Sequence, residues 1–307
     1  MKNLFINILL LIIGVVSNAQ IPKVSAGSIK QYKNFTSKYV TARNVDVWLP
    51  HGYSKKKKYG VLYMQDGQML FDTAITWNHQ AWEVDDMMGK LLNQKKIKDI
   101  IVVAIWNGGA TRHIDYFPQK PYESLSQIQK DTITAQLQSA GRITATFLPI
   151  SDNYLKFLVT ELKPFVDKNF STNTNKENTF IMGSSMGALI SIYAICEYPN
   201  VFGGAACLST HWPGVWTVEN NPIPDAFFNY LKTHLPNKKN HTIYFDCGDQ
   251  TLDAMYPPLQ KKVDVLMQEN GFTNTHWQTK YFTGENHSEQ SWAKRLQIPF
   301  LFLLRKK

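Results

Sequence analysis

Short apolar runs alternate with longer amphipathic stretches along most of the chain, and this alternation predicts the fold class. Runs of five or six apolar residues are typical of strands that are buried on both faces of a sheet. The predicted strands lie at residues 35–40, 45–49, 59–64, 100–105, 179–182, 203–208, 242–247 and 277–282. The predicted helices lie at residues 82–92, 153–167, 186–198, 225–235, 258–270 and from 289 onward. Strands that alternate with helices predict an α/β fold, with a mostly parallel central sheet and helices on both faces.

Two segments do not follow this alternation. Residues 20–34 are polar, and we interpret them as a short lead-in to a domain that covers residues 35–307. After Gly108-Gly109 the chain shows no regular pattern until about Phe147. Irregular stretches of this length in compact domains usually form lids or binding loops.

The first 19 residues have the order of features of a secretory signal peptide. Residues 1–3 carry one positive charge, an apolar run extends from Leu4 to Val16, and residues 17–19 (Ser-Asn-Ala) are small enough for a signal peptidase. The apolar run is shorter than the roughly 20 residues of a transmembrane helix. We therefore expect residues 1–19 to be removed. The mature protein is then exported, periplasmic or extracellular, and is not stably inserted in a membrane.

Composition and charge narrow the possible functions. The chain has 307 residues, of which 44% are hydrophobic and 19% charged, which fits one globular domain. The formal charge is +9, with basic runs at residues 55–58 and 305–307. Because these runs fall in predicted loop or chain-end positions without interleaved aromatic residues, we interpret them as solvated surface and expect no nucleic-acid partner. His79 and Glu83 have helical spacing, but no second histidine completes a zinc motif, so no metal is expected.

The three cysteines are interpreted as small buried hydrophobic residues. Cys196, Cys207 and Cys247 all fall in predicted core helices or strands, where free cysteine is common. The alternative is a disulfide between Cys207 and Cys247, whose predicted strands follow one another in the second half of the chain.

A G-x-S-x-G sequence identifies a candidate nucleophile. It occupies residues 183–187, follows the apolar strand at 179–182 and opens an apolar helix. This strand–turn–helix setting is the one that a nucleophile elbow requires. Side chains two residues before and after the nucleophile would collide at so sharp a turn, which accounts for Gly183 and Gly187. Ser185 is therefore predicted to be the nucleophile.

A serine hydroxyl needs a general base, and the base needs an acid that orients it. In hydrolases with this elbow, the acid and then the histidine follow the serine along the chain. His287 lies in a loop between the last predicted strand and the last predicted helix, where the base belongs. The acid is expected in the loop after the strand at 242–247, which contains Asp249 and Asp253. We prefer Asp253, because a following helix would hold it rigidly, and Asp249 is the alternative.

Acyl transfer also needs two donors that stabilise the oxyanion. The first is expected to be the amide of Met186, directly after the nucleophile. The second is expected to be the amide of Gln68, in the glycine-containing turn at residues 65–68 that follows a predicted strand.

Five motifs together resemble the esterase family of α/β-hydrolases, which includes enterochelin (siderophore) esterases, feruloyl and acetyl-xylan esterases, and S-formylglutathione hydrolase. They are residues 63–72 (YMQDGQMLFD), 112–118 (RHIDYFP), 183–187 (GSSMG), 208–212 (LSTHW) and 286–289 (NHSE). The resemblance implies an α/β-hydrolase fold and ester hydrolysis through an acyl-enzyme, without metal or organic cofactor. The chain departs from the family pattern at Thr251, where many relatives carry an acid, and the choice between Asp249 and Asp253 stays open.

Arg112, His211 and Trp212 belong to the resembling motifs and are predicted to bind substrate. Trp212 follows the strand at 203–208, at the sheet edge where ligands bind in such folds. It either forms an aromatic platform for a sugar or aryl group or packs beneath the long loop. Arg112 either pairs with Asp115 in its own loop, which we favour, or binds an anionic substrate.

The sequence therefore predicts an exported serine esterase that acts on a small-molecule or glycan ester. Feruloyl or acetyl esters of polysaccharides and siderophore lactones are the leading substrates. A non-catalytic binder of glycans or siderophores is a second class, which the presence of both Ser185 and His287 disfavours. An acyltransferase with the same triad is a third class, and a preference for an alcohol over water would identify it.

Overall fold

The fold is built around a central sheet. The computed structural model describes residues 20–306, and the predicted signal peptide at 1–19 lies outside them. Eight strands form this sheet. They are β1 (Ser28–Phe35), β2 (Arg43–Leu49), β3 (Gly60–Met64), β4 (Ile100–Ile105), β5 (Thr179–Ser184), β6 (Gly204–Leu208), β7 (Thr242–Cys247) and β8 (Trp277–Tyr281).

The strand order across the sheet is β1-β2-β4-β3-β5-β6-β7-β8. The six strands from β4 to β8 in this order pair in parallel, and β2 pairs antiparallel with both of its neighbours. The predicted mostly parallel sheet is thus confirmed. Because the parallel strands run in one direction, the loops that follow them meet at one edge of the sheet, where ligands bind in such folds.

Helices cover both faces of the sheet. Alternate residues of each strand point to opposite faces, so that Val61 and Tyr63 belong to one apolar core and Leu62 and Met64 to the other. The helices are α1 (Val84–Asn93), α2 (Arg112–Tyr116), α3 (Gln119–Glu123), α4 (Gln127–Ser139), α5 (Ser151–Lys156), α6 (Lys163–Asn169), α7 (Met186–Glu197), α8 (Ile223–His234), α9 (Tyr256–Glu269), α10 (Glu289–Arg295) and α11 (Gln297–Leu304). A π-helical segment, Phe157–Leu162, joins α5 to α6.

The structure corrects two predictions about secondary structure. The strand predicted at residues 35–40 is wrong, since β1 ends at Phe35 and the second half of the predicted polar lead-in forms β1 itself. An edge strand with an exposed face tolerates the polar side chains that concealed it in the sequence. The segment predicted to be irregular up to Phe147 contains α2, α3 and α4. Helix α4 begins at a capping box formed by Ser126. Few side chains of α4 are buried.

All three cysteines are free and buried, so the disulfide considered for Cys207 and Cys247 is not formed. Their strands are neighbours, but Cys207 is in register with Phe245 rather than with Cys247. Within residues 20–306, no helix combines the length and the apolar character needed to cross a membrane.

Candidate active site

Ser185 occupies a strained turn between β5 and α7. Its backbone has φ 56° and ψ −122°, a conformation that non-glycine residues rarely adopt and that persists only where the surroundings impose it. The turn is tightly packed, since a Cβ atom on Gly183 would lie 2.5 Å from the carbonyl oxygen of Gly187. The amide of Ser185 donates to the carbonyl of Leu208 on the adjacent strand at 2.9 Å. The local sequence thus folds as an elbow that presents one serine at the ligand-binding edge.

His287 and Asp253 form a hydrogen-bonded pair at the same edge. Nδ1 of His287 lies 2.6 Å from Oδ1 of Asp253, and the carboxylate is fully buried. The backbone amide of His287 also donates to Oγ1 of Thr251 at 3.0 Å. Thr251 therefore holds the histidine loop through its hydroxyl.

Asp249, the alternative acid, lies elsewhere. Its Oδ1 accepts from the side-chain amide of Gln250 at 2.9 Å and from the amide of Gly284 at 2.8 Å. These hydrogen bonds lower the pKa of Asp249, which is half-buried. Asp249 fastens the loop that leads to His287 but does not contact the imidazole.

The second oxygen of Asp253 is held by a buried network that the sequence analysis missed. Oδ2 accepts from the hydroxyl of Ser209 and from the amide of Gly248, each at 2.6 Å. Oγ of Ser209 in turn accepts from Nε1 of Trp292 and from Nη2 of Arg295, each at 3.0 Å. Ser209 has φ 44°, so its backbone is in the left-handed region. Ser209 follows β6 directly, and this position after a strand is the signal by which it could have been found.

Arg295 links this network to a second buried carboxylate. Its Nη2 donates to Oδ1 of Asp246 at 2.9 Å, and both side chains are almost fully buried. Burial raises the pKa of Asp246, and the charge of Arg295 opposes that shift. The guanidinium of Arg295, which is paired with Asp246, is thus linked to Asp253 through the hydroxyl of Ser209.

Met186 and Gln68 line the cleft that also contains Ser185 and His287. The turn that carries Gln68 packs tightly, since a Cβ atom on Gly67 would lie 2.6 Å from the backbone of Ala104. The two residues that are predicted to supply the oxyanion donors are therefore brought to the same cleft as Ser185.

The cleft has a volume of about 660 Å³, and aromatic side chains form much of its wall. Trp77 is 82% exposed and Trp216 is 44% exposed, which is high for tryptophan. The guanidinium of Arg142 lies 4.8 Å from the ring centre of Trp216, a cation–π arrangement. Sequence reasoning missed all three residues, because Trp77 and Trp216 lie in loops and Arg142 lies in the stretch predicted to be irregular.

Arg112 lines the cleft, but its partner is not the predicted one. Nε and Nη2 of Arg112 donate to the two carboxylate oxygens of Asp66 at 2.7 Å each. Asp115 instead accepts from Nη2 of Arg43 at 3.0 Å. The pairing within one loop was wrong because Asp115 points away from the cleft into the core, where Arg43 from β2 reaches it.

Trp212 does not line the cleft, so the prediction that it binds substrate is wrong. It is 1% exposed, and its Nε1 donates to Oε1 of Gln260 on α9 at 2.9 Å. The side chain packs in the apolar core, against Phe245 among others. Its neighbour His211 does line the cleft.

His211 joins Ser185 to a buried tyrosine. Nδ1 of His211 lies 2.8 Å from the hydroxyl of Tyr256, and the amide of His211 donates to the carbonyl of Ser185 at 3.3 Å. Burial raises the pKa of Tyr256, and a hydrogen bond with the Ser185 side chain opposes that shift. Burial lowers the pKa of His211 well below its ordinary value, and the nearby His287 adds to this effect.

The polar groups of the cleft are suited to acyl transfer rather than to binding a metal ion. No group of three or more His, Cys, Asp or Glu side chains within residues 20–306 is arranged to hold a metal ion. A serine on an elbow and a histidine with a buried carboxylate are parts that acyl transfer requires.

Sequence comparison assigns the chain to a family. Residues 37–300 match the model of the family described as "Putative esterase". The chain belongs to this esterase family. This membership confirms the family that the sequence motifs indicated.

Known relatives of this esterase agree with that assignment. The chain is 27% identical over 228 residues to an endo-1,4-beta-xylanase/feruloyl esterase of Xylanibacter ruminicola, a match that covers 71% of this chain and 26% of the relative. The chain thus spans about a quarter of the length of that protein.

Two solved structures share the fold of this esterase. A ferulic acid esterase from Anaeromyces mucronatus has a TM-score of 0.62 at 18% identity, over 93% of each chain. The enterobactin esterase of Shigella flexneri has a TM-score of 0.63 at 14% identity, over 92% of this chain and 60% of the other. The predicted α/β-hydrolase fold is confirmed.

Proposed function

We propose that this esterase is an exported serine carboxylic-ester hydrolase that works through an acyl-enzyme. The observation that carries the proposal is the 2.6 Å hydrogen bond between His287 and the buried Asp253, in a cleft that also contains Ser185 on its elbow. The proposed export rests on the signal-peptide pattern of residues 1–19.

In the proposed reaction, Oγ of Ser185 attacks the ester carbonyl carbon while Nε2 of His287 accepts the hydroxyl proton. Asp253 fixes the imidazole with Nδ1 protonated and stabilises the imidazolium that forms. The amides of Met186 and Gln68 donate to the oxyanion. The imidazolium then protonates the departing alcohol, and the acyl group stays on Ser185. Water, deprotonated by His287, attacks the acyl-enzyme and releases the acid.

The leading substrates are feruloyl or acetyl esters of polysaccharides and siderophore lactones. Similarity to the Xylanibacter ruminicola xylanase/feruloyl esterase supports the first class, and the shared fold of the Shigella flexneri enterobactin esterase is compatible with the second. The exposed Trp77 and Trp216 offer flat apolar surfaces on which an aromatic acyl group or a sugar ring would stack. Arg112 and His211 also line the proposed binding cleft.

Covalent labelling tests the mechanism without knowledge of the substrate. Protein that begins at Gln20 is treated with a fluorophosphonate, alongside the variants Ser185→Ala and His287→Ala, and the adduct is located by mass spectrometry. We expect about one label per chain on Ser185, and no comparable labelling in either variant. A folded wild-type protein that remains unlabelled would overturn the catalytic assignment. A panel of acetyl, feruloyl and catecholate esters then identifies the acyl group.

A further inference from the structure

Basic residues converge at the edge of the sheet opposite to the catalytic cleft. The loops that precede parallel strands meet at that amino edge, just as the loops that follow them meet at the cleft. Ten exposed cations lie in these loops and in the adjoining C-terminal segment, and we call them the basic edge. They are Lys55, Lys56, Lys57, Lys58, Lys95, Lys96, Lys238, Lys239, Arg305 and Lys306.

Backbone contacts bring these distant segments together. The amide of Lys98 donates to the carbonyl of Leu304 at 2.8 Å, and Ile97 forms a β-bridge with Arg305. Nζ of Lys57 lies 2.7 Å from Oδ1 of Asp99, which joins the lysine run before β3 to the loop before β4. The basic edge is therefore a feature of the fold, assembled from residues up to 251 positions apart in the sequence, from Lys55 to Lys306.

The cleft side of the molecule has a different charge pattern. The segments that surround the cleft contain many carboxylates: Asp66, Asp72, Glu83, Asp85, Asp86, Asp249, Asp253, Glu285 and Glu289. Two of these carboxylates, Asp66 and Glu289, line the cleft itself together with two arginines, one of which is paired with Asp66. Positive charge is thus concentrated at one end of the strand axis and negative charge at the other.

We propose that the basic edge binds an anionic lipid surface and holds the catalytic cleft away from it. Cations that lie within about a Debye length of a charged surface (8–10 Å at physiological salt) act together on it. Lysine suits this role because it is a flexible point charge that does not need a fixed phosphate geometry, and nine of the ten cations are lysines. The proposal does not depend on the catalytic mechanism proposed above.

The surface around these cations favours lipid head groups over nucleic acid. Proteins that bind single strands stack bases on exposed aromatic side chains, and none of the basic-edge segments contains an exposed tryptophan or phenylalanine. The large exposed apolar side chains of the described residues, such as Trp77 and Trp216, lie outside these segments. Binding is therefore electrostatic and peripheral, without insertion into the bilayer.

Vesicle sedimentation tests the proposal with a charge-matched control. The first variant replaces Lys55, Lys56, Lys57 and Lys58 with Gln. The control variant replaces four other exposed lysines with Gln, namely Lys33, Lys261, Lys262 and Lys280. Each protein, beginning at Gln20, is mixed with vesicles of phosphatidylcholine alone or with 30% phosphatidylglycerol, in 50 and 500 mM NaCl. Equal melting temperatures of the variants establish that both are folded.

We expect wild-type protein to bind the anionic vesicles at least 10-fold more tightly than the neutral ones at 50 mM NaCl, and to lose this preference at 500 mM. The basic-edge variant should lose at least 10-fold in affinity and the control less than 3-fold. Equal losses in both variants, or no preference for anionic lipid, would overturn the proposal. Tighter binding to duplex DNA than to vesicles at the same salt would also overturn it and assign the edge to nucleic acid.

Lysine footprinting tests the orientation. Protein bound to anionic vesicles is acetylated with a membrane-impermeant reagent, and the modified lysines are quantified by mass spectrometry. Residues 55–58 should be protected at least 5-fold relative to free protein, whereas Lys261 and Lys280 should react as before. Uniform protection of all these lysines would contradict an oriented complex.

Discussion

The imidazole of His287 and the carboxylate of Asp253 are joined by a hydrogen bond of 2.6 Å, although 34 residues separate them in the chain. The carboxylate is buried and accepts two further hydrogen bonds through its other oxygen, so its orientation is determined from both sides. In the proposed mechanism, this hydrogen bond fixes the imidazole so that Nε2 can accept the proton of Ser185.

The Asp253–His287 hydrogen bond leads to a prediction that separates the two candidate acids. Asp253→Asn should reduce kcat by roughly 10²–10⁴-fold, because an amide favours the wrong imidazole tautomer. Asp249→Asn is the matched control and should reduce kcat by less than about 3-fold, because the Asp249 carboxylate accepts from Gln250 and Gly284 and not from His287. Initial rates with 4-nitrophenyl acetate measure both effects. A larger loss in the Asp249 variant would assign the role to that residue instead.

Ser209 is predicted to position the acid. Ser209→Ala removes the donor to Asp253 and leaves Trp292 Nε1 without its acceptor. We expect kcat to fall by about 10-fold and the free energy of unfolding by about 1–3 kcal/mol, because buried polar groups lose their partners. Ser191→Ala is the control, since the Ser191 hydroxyl is equally buried but donates only to the carbonyl of Gly187 in α7. If both variants kept wild-type kcat, Ser209 would be purely structural.

Trp216 and Trp212 are four residues apart and should respond differently to removal. Trp216→Ala should raise KM for an aryl ester by about 10-fold with little loss of stability, because Trp216 lines the cleft and is partly exposed. Trp212→Ala should lower the free energy of unfolding by about 3–5 kcal/mol, the usual cost of a large cavity in a core. Urea unfolding and steady-state kinetics on both variants check the pair. A Trp216 variant with unchanged KM for every ester tested would remove this side chain from substrate binding.

His113 should make stability depend on pH below neutrality. Burial, with smaller contributions from Arg112 and Arg142, lowers the pKa of His113 from 6.5 to about 4. The unfolded chain therefore binds more protons between these values, and the free energy of unfolding falls as the pH decreases from 6.5 to 4. At about 1.4 kcal/mol per pKa unit, the decrease in the free energy of unfolding approaches about 3 kcal/mol at pH 4. Urea unfolding of His113→Gln at pH 7.5 and 5.0 should show a smaller decrease than the wild type, and an equal decrease would contradict the assignment.

The sequence by itself determined the parts of this protein that depend on local pattern. Buried parallel strands must be apolar along their length, so most of the sheet could be predicted from short runs of residues. The elbow at Ser185 is also local, because five consecutive residues produce the turn. Gly183 and Gly187 are part of it, and a side chain on Gly183 would clash with Gly187. His287 could be proposed as the base because chain order in this fold confines the base to the loop after the last strand.

Only the tertiary structure decided which side chains meet across the molecule. Asp249 and Asp253 share one loop, and their difference lies in the direction that each carboxylate points. Arg112 pairs with Asp66, 46 residues away, rather than with the nearer Asp115. Such pairings depend on which strands are neighbours and where each loop turns, and the local sequence determines neither.

The same reason explains the remaining errors. β1 is an edge strand that pairs with β2 and has an exposed face, so it tolerates polar side chains, whereas the prediction relied on apolar character. Trp212 and Trp216 are chemically identical, and only the packing of α9 against the turn after β6 places one in the core and leaves the other at the cleft.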